Sequence, residues 1–382
     1  MRDGVVAEIS AAKESRPRVP HARYISGDGA TVVPGLINMH EHLSVVHPGT
    51  HEEEELAGES HDACLRRMID NAQHAMQVGV TSLRLAGERD GLDIELRDQI
   101  ATQRLAGPRI WTSCQPLDYV GGGRGFVGAV ECSSADDFRR AAREQLAQGA
   151  DFLKVMLSGG AASSKPGAVG LSVEEFEAVR LVARESGVRI AVHTAAIPHP
   201  IMSRLVEDGV DSLEHCYLMD DELLARCIES GTLLVLTPLV SNSPEYLEEL
   251  GLGRSAIERM GAVGQTHWRV VRSAVASRAL IALGTDIHSH VRLHGTSAVV
   301  RELELYEEAG AGPDMLLEIA SRNGASWLGE TERLGLVEEE YLADLLVLDE
   351  NPFRSGASAF RALRHVISGG VLVRPDATDP HP

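Results

Sequence analysis

The chain has 382 residues, 43% of them hydrophobic and 24% charged, with a formal net charge of −20. That length has room for one large domain and a small accessory one. The charge disfavours nucleic acid as a partner, and no apolar run approaches the roughly 18–20 residues that span a bilayer. The first residues show no secretory pattern. The five cysteines (Cys64, Cys114, Cys132, Cys216 and Cys227) lack CxxC spacing. Free thiols and a cytoplasmic protein without a membrane partner are therefore expected. Acidic runs such as residues 52–55 and 338–340 read as solvated faces.

In chain order, residues 4–10 and 22–26 read as short strands. Eight β-rich runs follow, at residues 32–39, 81–85, 109–113, 151–157, 189–193, 212–215, 233–236 and 280–285. Stretches of helical period lie between them, such as 135–148 and 173–186. Eight strands alternating with helices predict an α/β chain with a (β/α)8, TIM-type barrel. A longer stretch from 241 to about 278 reads as helical and follows the seventh run. Residues 343–348 and 363–373, the latter with Gly369-Gly370 at a turn, predict further strands. Both termini thus supply a small accessory β domain. The expected boundaries are 1–33 and 331–382 for that domain and 34–330 for the barrel.

Polar residues punctuate the ends of these runs. His40-Glu41-His42 closes the first, and residues two apart on a strand share a face. An HxH pair alone is a weak signal. Lys154 sits inside Phe152-Leu153-Lys154-Val155-Met156, where a cation is expensive unless neutralised or paired. His193, His215 and Asp286 end three more runs. Metal-ligand side chains at the C-terminal ends of several strands stand where barrel enzymes place catalysis.

At these positions the sequence resembles the amidohydrolase superfamily. Val33-Pro34-Gly35-Leu36-Ile37-Asn38-Met39-His40-Glu41-His42 is similar to its first-strand signature, and Gly284-Thr285-Asp286 to that of its eighth strand. Residues 336–352, with Ala343-Asp344-Leu345-Leu346-Val347-Leu348-Asp349, resemble its return to the β domain. Lys154 before Gly159-Gly160, Glu214-His215-Cys216-Tyr217 and Ser321-Arg322-Asn323-Gly324-Ala325 resemble the branch with two metals bridged by a carbamylated lysine. That branch includes Xaa-Pro dipeptidases, ochratoxin-type amidases and imidazolonepropionase-like enzymes. The resemblance implies a small-molecule hydrolase with two divalent ions, zinc foremost, though manganese or cobalt also suit such ligands. It assigns His40, His42 and Asp286 to one ion and His193 and His215 to the other, with carbamylated Lys154 bridging. A metal-bridging hydroxide would attack the amide, with Asp286 as general base and then acid. Tyr217 would hydrogen-bond the substrate carbonyl. A homo-oligomer is also expected.

The sequence departs from that branch at the substrate. Arg124, in Gly121-Gly122-Gly123-Arg124-Gly125, stands where a histidine is usual, and a guanidinium there can grip a carboxylate. The second histidine of a His-Ala-His-Gly stretch is absent from His193-Thr194-Ala195-Ala196. His199 either compensates or lies at the surface, and His294 is taken as lining the pocket. The expected substrate is a dipeptide or N-acyl amino acid. The alternatives are a cyclic amide, lactone or specialised metabolite at the same site, a mononuclear deaminase, and a non-catalytic binding protein.

Overall fold

A computed structural model describes residues 1–11, 22, 24–25, 27–45, 56, 58–120, 128–157, 170–194, 199–289, 291–293 and 295–374. The chain alternates strands and helices. The strands are β1 (Thr31–Pro34), β2 (Leu36–Glu41), β3 (Val80–Leu85), β4 (Arg109–Thr112), β5 (Leu117–Tyr119), β6 (Val130–Cys132), β7 (Leu153–Met156), β8 (Ile190–Thr194), β9 (Ser212–His215) and β10 (Leu233–Val235). After two short pieces, β11 (Arg292–Leu293) and β12 (Thr296–Ser297), come β13 (Leu345–Leu348), β14 (Leu363–Ser368) and β15 (Val371–Arg374).

Two parallel sheets form the centre. One has the order β2-β3-β4 and the other β10-β9-β8-β7-β5-β6. Asp151 N donates to Thr112 O at 2.7 Å, joining the end of β4 to the start of β7. On the far side, residues 280–285 bridge β10 and β2. Ala282 N donates to Leu234 O and Met39 N to Leu283 O, at 3.0 and 2.8 Å. The sequence predicts a strand for this eighth run, but it forms only the isolated bridge Leu234–Ile281. Leu283 N turns instead to Ile319 O, in the π-helical turn Glu318–Arg322, which interrupts a regular ladder.

The first expected run also divides. Residues 31–34 pair antiparallel with β13, whereas β2 pairs parallel with β3. Gly35 stands at the crossing, where a Cβ would run into the Thr81 side chain. The antiparallel sheet β1-β13-β14-β15 ends in the hairpin expected at Gly369-Gly370, whose φ values of 55° and 79° suit a tight hairpin turn. Residues 4–10 do not form the strand expected of them. Asp3 and Gly4 take positive φ, and Val5 makes isolated bridges to Arg2 and Leu342. The helical stretch after β10 comprises Pro238–Asn242, Pro244–Glu249 and Arg254–Ala276.

Strand alternation sorts the core. Leu83, Leu85, Val155, Val192, Leu213, Leu234 and Ile281 pack with helix residues such as Met68, Phe138, Phe176 and Val179. The residues between them face inward. Phe152, Ala191, Val235 and Ala282 cluster there with Ile37, Met39 and Trp327. Arg84, Lys154, His193, Ser212 and Glu214 share that inward parity. Among the described residues, no helix is long and apolar enough to cross a membrane.

Candidate metal centre

His40 and His42 come from the end of β2, where the pairing register with β3 shifts between Asn38 and Glu41. Their Nε2 atoms lie 3.3 and 3.4 Å from Asp286 Oδ1. Asp286 is held by its own backbone N–H, which donates to His40 O at 2.9 Å, and takes a left-handed φ of 55°. Alternation alone would send His215 the way of Leu213, towards the helices. It instead adopts φ 69°, and its ring centroid sits 4.8 Å from that of His40 and 4.5 Å from that of His193. Non-glycine residues in this region are strained, and such strain clusters at functional sites. Ligand atoms of His40, His215 and Asp286 all lie within 4.8 Å of one another, as a metal ion would require. Lys154, 1% exposed, stands on the neighbouring strand with Ala191 as its register partner, two residues before the Met156–His193 pair.

The imidazoles are oriented from behind. His40 Nδ1 lies 2.7 Å from Glu214 Oε2 and His42 Nδ1 lies 2.7 Å from Gly87 O. Both partners only accept, so both Nδ1 atoms carry a proton, which leaves Nε2 as the nitrogen that would coordinate a metal. His215 Nδ1 lies 2.8 Å from Thr237 Oγ1. Histidines with one nitrogen tied to the protein and the other free to coordinate are the usual furniture of a metal site. Mixed imidazole and carboxylate donors suit a divalent transition metal. The residues present therefore fit a metal.

The buried charges shift one another: burial would lower His42, but Asp286 outweighs it and raises the imidazole. Burial would raise Asp286, but His40, His42 and His215 outweigh it and hold the carboxyl well below its usual range. Burial pushes His215 well below an ordinary imidazole. Burial would likewise raise Glu214, but Arg84, Lys154 and His40 keep it below the carboxylate range. Tyr217 is buried, its ring 5.5 Å from that of His215 and packed edge-on against His267 at 4.7 Å. Burial raises its phenol, so it stays an O–H donor. Arg124, His294 and the His199 side chain lie outside the described residues.

Several supporting groups are missed by reading the sequence. Glu41 accepts from Ser289 N at 3.1 Å and from its hydroxyl, and Asn38 Nδ2 donates to Thr285 Oγ1 at 2.9 Å. Together they pin the loop around Asp286. Glu88 accepts the backbone N–H groups of Leu43 and Ser44 at 2.6 and 2.7 Å, which fixes the turn after His42. Arg84 crosses beneath the site to Glu214 at 2.7 Å. The one usable signal is the charge itself, since Arg84 in Val80-Thr81-Ser82-Leu83-Arg84-Leu85 invites the argument applied to Lys154.

Comparison with known proteins identifies the family. The chain is 28% identical over 346 residues to ochratoxinase of Aspergillus niger, covering 82% of this chain and 69% of that one. It is 23% identical over 377 residues to imidazolonepropionase of Pyrobaculum arsenaticum, covering 91% and 85%. Its structure superposes with a TM-score of 0.83 on that of a Xaa-Pro dipeptidase with methionine bound in the active site. That match has 26% identity and covers 97% of this chain and 93% of that one. Residues 31–373 match the pattern of the amidohydrolase family, and the chain belongs to that family, as a hydrolase acting on carbon–nitrogen bonds.

Proposed function

We propose that this chain hydrolyses the amide bond of a dipeptide or N-acyl amino acid, using two divalent metal ions, most simply zinc. The observation that carries this is the convergence of His40, His42, His215 and Asp286 with the Nδ1–H groups of His40 and His42 tied back to Glu214 and Gly87. His40, His42 and Asp286 would hold one ion and His193 and His215 the other. Lys154, buried on the adjacent strand, would bridge them once its neutral amine has captured carbon dioxide as a carbamate. The ions, when bound, would supply an activated water and polarise the scissile carbonyl.

The chain's own groups do the remaining work. Asp286 Oδ1, within 3.4 Å of two imidazoles, is placed to take a proton and return it to the departing nitrogen. Tyr217 would donate to the substrate carbonyl oxygen. Arg124, His199 and His294 are the proposed substrate contacts, Arg124 for a carboxylate. The hydrogen bonds that run from β2 through β10 and back by residues 280–285 support a closed (β/α)8 barrel over 34–330. Residues 1–33 and 331–382 would then form the accessory β domain. Five buried free cysteines support a cytoplasmic, reducing setting.

Metal-stripped protein reloaded with zinc, manganese or cobalt should take up two equivalents. It should then cleave members of a dipeptide and N-acyl amino acid panel, and Asp286→Asn should abolish turnover while keeping the fold. Mass spectrometry under native conditions, or ¹³C spectra after labelling with ¹³CO₂, should report the carbamate on Lys154. A fully loaded enzyme inert on every linear amide but active on cyclic amides or lactones would overturn the substrate assignment.

A further inference from the structure

Arg84 is fully buried and ties two strands together, sending Nε to β2 and both terminal nitrogens to β9. Nε donates to Met39 O at 2.5 Å, Nη1 to Ser212 Oγ at 3.0 Å and Nη2 to Glu214 Oε1 at 2.7 Å. Its carbon Cζ lies 4.4 Å from the Trp327 ring centroid and 5.4 Å from that of Phe152. The arginine is thus packed against two mutually perpendicular aromatic rings, with donors aimed at the residue before His40 and the residue before His215. Glu214 is equally buried. Its Oε1 accepts from Arg84 and from Ser212 Oγ at 2.8 Å, which leaves Oε2 for His40 Nδ1 at 2.7 Å.

We propose that Arg84 is a positioning residue for metal binding. It dictates which atom of the side chain at 214 faces His40, and so which nitrogen of His40 is left to coordinate. The inference rests on reading His40 as a metal ligand. Its physical basis is the polarity of the partners. A guanidinium carries donors and no acceptor, so the atom of residue 214 that meets Arg84 must accept. Ser212 cannot impose this, because a hydroxyl both donates and accepts. With a carboxylate at 214 both oxygens accept, so His40 keeps a proton on Nδ1 and Nε2, 3.3 Å from Asp286 Oδ1, is the nitrogen left to face the site.

A carboxamide exposes the constraint. In Glu214→Gln, Arg84 claims the amide oxygen, so the amide NH₂ is turned to His40 Nδ1. That nitrogen must then accept, the proton moves to Nε2, and the lone pair needed by the metal is lost. With Arg84→Met added, the apolar side chain can occupy the aromatic slot and the Ser212 hydroxyl can turn to accept. The amide is then free to rotate and offer its oxygen to His40. The double variant should therefore bind metal better than the single Glu214→Gln variant.

The experiment compares wild type, Glu214→Gln and Arg84→Met/Glu214→Gln; the single variant leaves the buried guanidinium without its carboxylate, and the double variant removes both charges. The first readout is the ¹⁵N shifts of the His40 ring in metal-free, ¹⁵N-histidine-labelled protein, assigned with His40→Asn. The second is the rate at which a chelator strips cobalt or zinc. Glu214→Gln should show the Nε2–H tautomer and lose roughly 10–100-fold in metal affinity, both read well below a melting temperature that loss of the buried ion pair lowers. The double variant should return to Nδ1–H and recover at least part of that loss. An unchanged tautomer in Glu214→Gln, or a double variant no better than the single, overturns the proposal. If wild type takes up no stoichiometric metal, the site reading fails instead, and the tautomer measurement still decides whether Arg84 governs His40.

Discussion

Gly284 offers the sharpest test of how tightly the candidate centre is built. Its backbone does not need glycine for conformation, because its φ is not positive. What it needs is the missing methyl group. A Cβ at 284 would overlap Val235 Cγ1 and come within 2.9 Å of His40 Cβ and 3.2 Å of His40 N, where 3.4–4 Å is ordinary contact. Val235 is fully buried and, being β-branched, has little rotamer freedom. Gly284→Ala must therefore push β2 and residues 280–285 apart by about half an ångström. Overpacking of this kind costs about 1–3 kcal/mol, which lowers Tm by roughly 2–6 °C in a chain of this size. The displaced atom belongs to His40, and metal–ligand distances tolerate only about 0.2 Å, so metal affinity should fall along with Tm. Gly261→Ala is the control. It lies exposed inside the helix Arg254–Ala276, where an added methyl group would meet nothing within 4 Å, and should stabilise by about 0.5–1 kcal/mol. Thermal unfolding and chelator competition read both variants. A Gly284→Ala protein with wild-type Tm and metal retention would refute the close approach of His40 to this segment.

Three other outcomes follow from the same structure. Thr237→Val keeps the shape but removes the hydroxyl 2.8 Å from His215 Nδ1. It should weaken metal binding roughly 10-fold or more while Thr237→Ser does not, as judged by chelator competition. All five cysteines are buried, and burial pushes Cys64 up to about 11 and Cys132 and Cys227 up to about 12. A thiol reagent at pH 8 should therefore find none in the native protein and five in guanidinium; rapid native labelling would contradict the packing. Burial raises Glu88 from 4.5 to about 7, so the folded metal-free protein binds this proton more tightly than the unfolded chain. The stability it contributes is complete below pH 4.5 and is lost as pH rises through 7. Relative to wild type, Glu88→Gln should gain in Tm between pH 5 and pH 8, and a pH-independent difference would sink that assignment.

What the sequence discloses and what it hides differ by the kind of interaction involved. Periodicity places seven of the eight β-rich runs on observed strands, because burying one face imposes a two-residue repeat that can be counted directly. It misses the break at Gly35, where one apolar run serves two sheets, since the Thr81 side chain that demands the glycine lies 46 positions away. The residues that converge on the candidate centre are visible for a similar reason: histidine, lysine and aspartate are out of place at the ends of apolar strands. Arg84 is as much out of place as Lys154, and the two differ only in what surrounds them. Lys154 precedes a motif with a known resemblance, whereas the partners of Arg84, Glu214 and Ser212, are about 130 residues distant. His215 is a harder case. Its parity points outward, and only a left-handed backbone at the strand end returns its ring to His40 and His193. Composition signals a costly residue but not the partner that offsets the cost, and here the partners decide which nitrogen of His40 and His42 turns towards Asp286. The residue types of the candidate centre are therefore legible before their orientation is, and orientation is what the Arg84–Glu214–His40 experiment reads.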